Sequence, residues 1–171
     1  LASINKQFED EGNPLTPAYR YHERLAREQQ EVLRQSGFGA LYPDLRQFCL
    51  AQQQIHGAAN RRMIEAVRAN PLVDGYCIHA LVAGDWILGA GLLDLWRNPK
   101  TYAYEGTKAA NSPRILSIRV KPRNIYAEQG AQLEIIGVND LEALPVRLSV
   151  QVVSKAGQPV YEKMLATVLE A

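Results

Sequence analysis

The sequence predicts an α+β chain in two parts, a helical first part ending on one buried strand and an antiparallel β second part. Three observations carry this reading. Two long segments place apolar residues near the helical period, one opening at Thr16-Pro17 and one at Pro43-Asp44. An almost unbroken apolar run, GYCIHALV, follows at 75–82 and reads as a strand buried on both faces. Beyond Pro113 the pattern changes to strict alternation in short runs.

The first helix is expected to open at Thr16-Pro17, where a side-chain oxygen can cap free N–H groups and proline needs none. Ser36-Gly37 stops it near Gln35. Its apolar stripe is thin (Tyr21, Leu25, Val32 and Leu33), which suits a helix lying on a surface. The second helix enters at Pro43-Asp44, with Asp44 and Gln47 spaced as a capping box. Leu45, Phe48, Cys49, Ile55, Ala59, Met63 and Val67 form its expected inner face, and Asn70-Pro71 ends it. Gln52, Gln53, Gln54, Arg61, Arg62 and Arg68 are assigned to a solvated outer side. A helix, a short NPLVDG link and a buried strand make the αβ half of a repeating α/β unit.

In the second part, RILSIRVKP (114–122) sets Leu116, Ile118 and Val120 on one side and Ser117, Arg119 and Lys121 on the other. AQLEIIGVND (131–140), VRLSVQVVS (146–154) and a last segment, QPVYEKMLATV, complete what reads as an antiparallel β-sandwich. The boundary falls near Asn111-Ser112-Pro113. One buried strand with two helices cannot close a sheet, and about four strands are few for a sandwich. The expectation is therefore a chain cut at both ends, which would self-associate through exposed strand edges.

Composition narrows the function. Of 171 residues, 47% are hydrophobic and 22% charged, as in a globular protein with a core. Nineteen Lys and Arg against eighteen Asp and Glu give no net field for nucleic acid or an anionic membrane. No run approaches the roughly 18 apolar residues of a membrane span. Cys49 and Cys77 are read as small buried apolar residues, since two cysteines make neither a disulfide scaffold nor a metal signature. His22, His56 and His79 lack ligand spacing, and no glycine loop cradles a phosphate, so no metal or cofactor is expected. The chain starts Leu-Ala-Ser, so the absence of a signal peptide says nothing about compartment.

The stretch NRRMIEAVRANPLVDGYCIHALVAGDWILGAGLLDLWRNPK resembles the close of the catalytic barrel in glycoside hydrolase family 2, the β-galactosidase/β-glucuronidase group. In that family a helix rich in Gln and Arg ends R.NP.V.GY, strand eight follows, and a loop with G.LD..R.PK leads to a linker. LEIIGVND resembles the second strand of the sandwich that comes next. The match covers roughly residues 40–140. It implies the terminal αβ segment of a (β/α)8 barrel over 1–112 and an antiparallel immunoglobulin-like β-sandwich, incomplete, over 113–171.

The resemblance also implies a parent that hydrolyses β-linked O-glycosides with retention. Such an enzyme uses two glutamates about 5–5.5 Å apart, on strands four and seven of the family's barrel. With strand eight at 75–82, both fall upstream of Leu1, so no catalytic residue is expected on this chain, which alone should be inactive. Glu9, Glu11 and Glu23 read as solvated acids. What remains is one wall of a carbohydrate site at the carboxyl end of the strand, built from His79, Asp85 and Trp86 as substrate contacts. An indole face suits sugar C–H bonds, and carboxylate and imidazole suit hydroxyls.

The strand reads Ile78-His79-Ala80 where many members carry a tryptophan pattern, and ILGAG lacks the N.K with which glucuronidases hold a sugar carboxylate. Trp96 and Lys100 are assigned to tying the barrel end to the linker. The alternative function is a non-catalytic carbohydrate-binding or scaffold module.

Overall fold

A computed structural model describes residues 9–12, 17–82, 91–94, 97–126 and 128–171, the side chains of Ala18 and Tyr19 aside. The chain is α+β: helices α1 (Pro17–Gln35), α2 (Leu45–Arg68) and α3 (Thr101–Ala110), then strands β1 (Arg114–Lys121), β2 (Gln132–Asn139), β3 (Leu144–Val153) and β4 (Pro159–Leu169). It divides into two compact units. The first takes its residues from Leu1–Arg61 and Cys77–Thr107, the second from Arg62–Tyr76 and Lys108–Ala171.

In the first unit, α1 ends as its sequence requires. Ser36 Oγ donates to the Leu33 carbonyl at 2.9 Å, and Gly37 adopts φ 80°, a conformation costly for a residue with a Cβ. A single 3₁₀ turn (Phe38–Ala40) follows, and Phe48 of α2 takes Tyr42 edge-on with ring centroids 5.3 Å apart. The start of α2 is capped twice. Asp44 Oδ1 accepts the Gln47 N–H at 2.8 Å, as the capping-box spacing predicts. The Leu45 N–H donates to Gln30 Oε1 of α1 at 2.8 Å, a long-range cap the sequence does not announce.

The inner face of α2 is the expected one only in part: Leu45 is buried and Phe48, Cys49 and Val67 half-buried. Ile55 and Met63 are 63% and 64% exposed, whereas Ile64 is 5% exposed and Gly57 is buried. The reason is the partner helix. α3, which falls where the sequence reading has only a linker, meets α2 on the side carrying Gly57 and Asn60. Its own stripe consists of small residues, with Ala103 and Thr107 buried. Asn60 Nδ2 donates to Thr107 Oγ1 at 3.2 Å.

The expected strand at 75–82 is not formed. Residues 75–77 are exposed, and only Val82 makes a bridge, a parallel one to Leu93. An apolar run becomes a buried strand only where neighbours take its backbone groups. Among the described residues, Leu92 and Leu93 alone do so, donating to the Leu81 carbonyl at 3.0 and 2.9 Å.

In the second unit the strands form where alternation predicts them, as two antiparallel hairpins. β1 pairs with β2 from Arg114↔Asn139 to Lys121↔Gln132, and β3 pairs with β4 from Leu144↔Leu169 to Val152↔Tyr161. Among the described residues each sheet has two strands, so each of these strands is an edge. The β3–β4 turn is closed by Ser154, whose Oγ accepts the Gln158 N–H at 3.2 Å, with Gly157 at φ 77°. On β1, Ser117 of the polar side is 4% exposed and Ile118 of the apolar side is 62% exposed. The Ile118 face of the first hairpin and the Leu148 face of the second border an open groove of about 440 Å³, lined by Leu133, Ile135, Val150, Val152, Tyr161 and Leu165 with Lys163 and Ala131.

Candidate functional site

Of the three expected substrate contacts, His79 is the one with a described position, and it is exposed. Asp85 and Trp86 lie outside the described residues, as does Trp96. No described geometry therefore joins the three.

What the structure does describe is the return loop bonded to Leu81, and its order comes from one carboxylate. Asp94 Oδ1 accepts the Asn98 N–H at 2.8 Å, and Asp94 Oδ2 accepts from Asn98 Nδ2 at 3.1 Å. The Asp94 N–H donates to the Asn98 carbonyl at 2.9 Å, and the Arg97 N–H to the Asp94 carbonyl at 3.0 Å. Arg97 takes φ 66° inside this tight turn. The Lys100 N–H then donates to the Leu92 carbonyl at 2.9 Å, bringing the chain back alongside its start before α3 begins. Burial pulls the Lys100 ammonium below the ordinary lysine value, and the Asp94 carboxylate works in the opposite direction. Asp94 is thus an organiser of the loop, a role that a carboxylate four residues before an asparagine can suggest.

The NPLVDGY stretch is ordered in the same way, by an asparagine. Asn70 Oδ1 accepts the Leu72 N–H at 3.1 Å and the Asn70 carbonyl accepts the Val73 N–H at 3.1 Å, turning the chain out of α2. Tyr76 Oη donates to Asn111 Oδ1 at 2.6 Å.

Arg68, assigned by its sequence context to a solvated face, has a side chain only 8% exposed. Its Nη1 donates to the carbonyls of Ala110 and Ser112 at 2.5 and 2.7 Å, and its Nη2 to Asp140 Oδ2 at 2.6 Å. A cation at the last carbonyls of α3 satisfies acceptors that a helix leaves open and complements its dipole. Sequence reasoning missed this because an arginine at the end of a helix that also carries Arg61 and Arg62 looks like solvated charge.

Glu23 pairs with Arg27 at 3.5 Å along α1, and Glu9 and Glu11 are exposed. Cys49 is half-buried and Cys77 exposed, both as free thiols, so only Cys49 approaches the buried role expected of the pair. Among the described residues no group of three or more His, Cys, Asp or Glu is placed to hold a metal, and no helix is long and apolar enough to cross a membrane.

No family model matches the chain, and neither a curated protein nor a solved structure matches it.

Proposed function

We propose that the chain is the carboxyl-terminal part of a retaining O-glycosyl hydrolase of the β-galactosidase/β-glucuronidase type. In this reading it comprises the last barrel segment and the first strands of an immunoglobulin-like sandwich. The observation that carries the reading is the pairing of NPLVDGY at 70–76 with GLLDLWRNPK at 91–100, separated by an apolar run. Supporting it, both stretches fold on their own polar residues, Asn70 in one and Asp94 in the other. An antiparallel hairpin begins within a few residues of α3, which is compatible with a change from barrel to sandwich there.

The chain supplies no catalytic glutamate in this scheme. His79, Asp85 and Trp86 form one wall of the carbohydrate site, and the two carboxylates come from strands earlier in the parent. The same reading gives the isolated chain free strand edges through which copies associate.

The test is to extend the coding sequence upstream and assay aryl β-glycosides. The extended protein is expected to turn them over, and mutation of either upstream glutamate to abolish turnover. An extended protein lacking either glutamate, with no turnover but measurable sugar binding, would favour a carbohydrate-binding module instead.

A further inference from the structure

We draw no further inference here: the strongest candidate, the open apolar groove between β2, β3 and β4 lined by Leu133, Ile135, Val150, Val152, Tyr161 and Leu165, is an unpartnered face, and nothing in the structure shows what covers it.

Discussion

Gly57 of α2 and Gly106 of α3 lie backbone against backbone. A methyl group on Gly106 would meet the Gly57 carbonyl oxygen, with the Gly57 carbonyl carbon at 2.8 Å and its Cα at 3.1 Å. A methyl on Gly57 would meet the Tyr102 carbonyl, its carbon at 2.7 Å. Backbone cannot rotate away as a side chain can, so relief requires the helices to separate. Alanine at either position gains about 1 kcal/mol of helix propensity, while overpacking costs about 1–3 kcal/mol and occasionally more. The clash wins at such short separations. Gly57→Ala and Gly106→Ala are each expected to lower the denaturation midpoint. Gly130→Ala, where nothing lies within 4 Å, should leave the midpoint nearly unchanged. Equal midpoints for all three variants in urea titrations would remove the close helix contact from this account.

Arg68 sets a second expectation, one of rank. Truncation to alanine leaves the carbonyls of Ala110 and Ser112 without their donor, at about 1–3 kcal/mol for each buried group. Asp140 is 59% exposed, so water replaces the guanidinium when the arginine is lost, and an ion pair of that kind is worth about 0–1 kcal/mol. Arg68→Ala should therefore destabilise several-fold more than Asp140→Ala in chemical denaturation. Arg68→Lys should recover only part of the loss, because one ammonium does not reproduce the planar fork. If Asp140→Ala proves as damaging as Arg68→Ala, the helix-capping role is secondary to the ion pair.

The loop at 91–100 responds to alkaline pH with a definite sign. Burial depresses the folded-state value of Lys100, so in the interval between it and the unfolded-state value the unfolded chain binds more protons. Stability from this group therefore rises as pH rises through that interval, and is flat below and above it. Asp94 opposes the depression, so Asp94→Asn should shift the start of the rise to lower pH. Lys100→Met should remove it. Side-chain NMR titration of the lysine, read beside stability against pH, checks both. An Asp94→Asn protein whose Lys100 titrates at higher pH than before would reverse the assignment.

How far these features can be read from sequence depends on whether the signal is local. Asp44 caps α2 and Ser36-Gly37 ends α1 because both act on backbone groups within a few residues. β1 to β4 follow the alternation, since a strand in a hairpin finds its partner close in the chain. α3 escapes because its stripe is Ala103, Gly106, Thr107 and Ala110, which fill close helix contacts without registering as hydrophobic period. α2 carries two plausible inner faces, and the partner decides between them: Gly57 and Ile64 turn inward, and Ile55 and Met63 do not. The run at 75–82 fails as a strand for a related reason, because burial on both faces needs neighbours that a single run cannot name. Of the three expected substrate contacts, His79 alone has a described position, and it is exposed.

Free edges carry their own consequence. Among the described residues each of β1 to β4 pairs with one strand, and an isolated two-stranded hairpin is marginal in water. Sedimentation velocity over a wide concentration range is expected to show concentration-dependent association. Lysine substitutions on the β1 and β3 edges should weaken it, as edge lysines do in natural sheets. A concentration-independent monomer would count against edge pairing.

The proposed function carries a chemical prediction for this chain. On the proposed reading the two glutamates of retaining hydrolysis, about 5–5.5 Å apart, lie on upstream strands, which leaves this chain without nucleophile and acid/base. The chain alone is therefore expected to give no release of nitrophenol from aryl β-glycosides above buffer. In the extended protein, the proposed sugar-site wall predicts that His79→Ala reduces kcat/KM while leaving the fold intact by circular dichroism, since the exposed side chain supports little packing. A drop in kcat and kcat/KM together would mean that His79 acts in the transition state. A rise in KM alone would mean that it binds ground state and transition state equally. Turnover by the chain alone that survives substitution of His79 and Asp85 would overturn the site assignment altogether, since it would demand carboxylates placed elsewhere in these 171 residues.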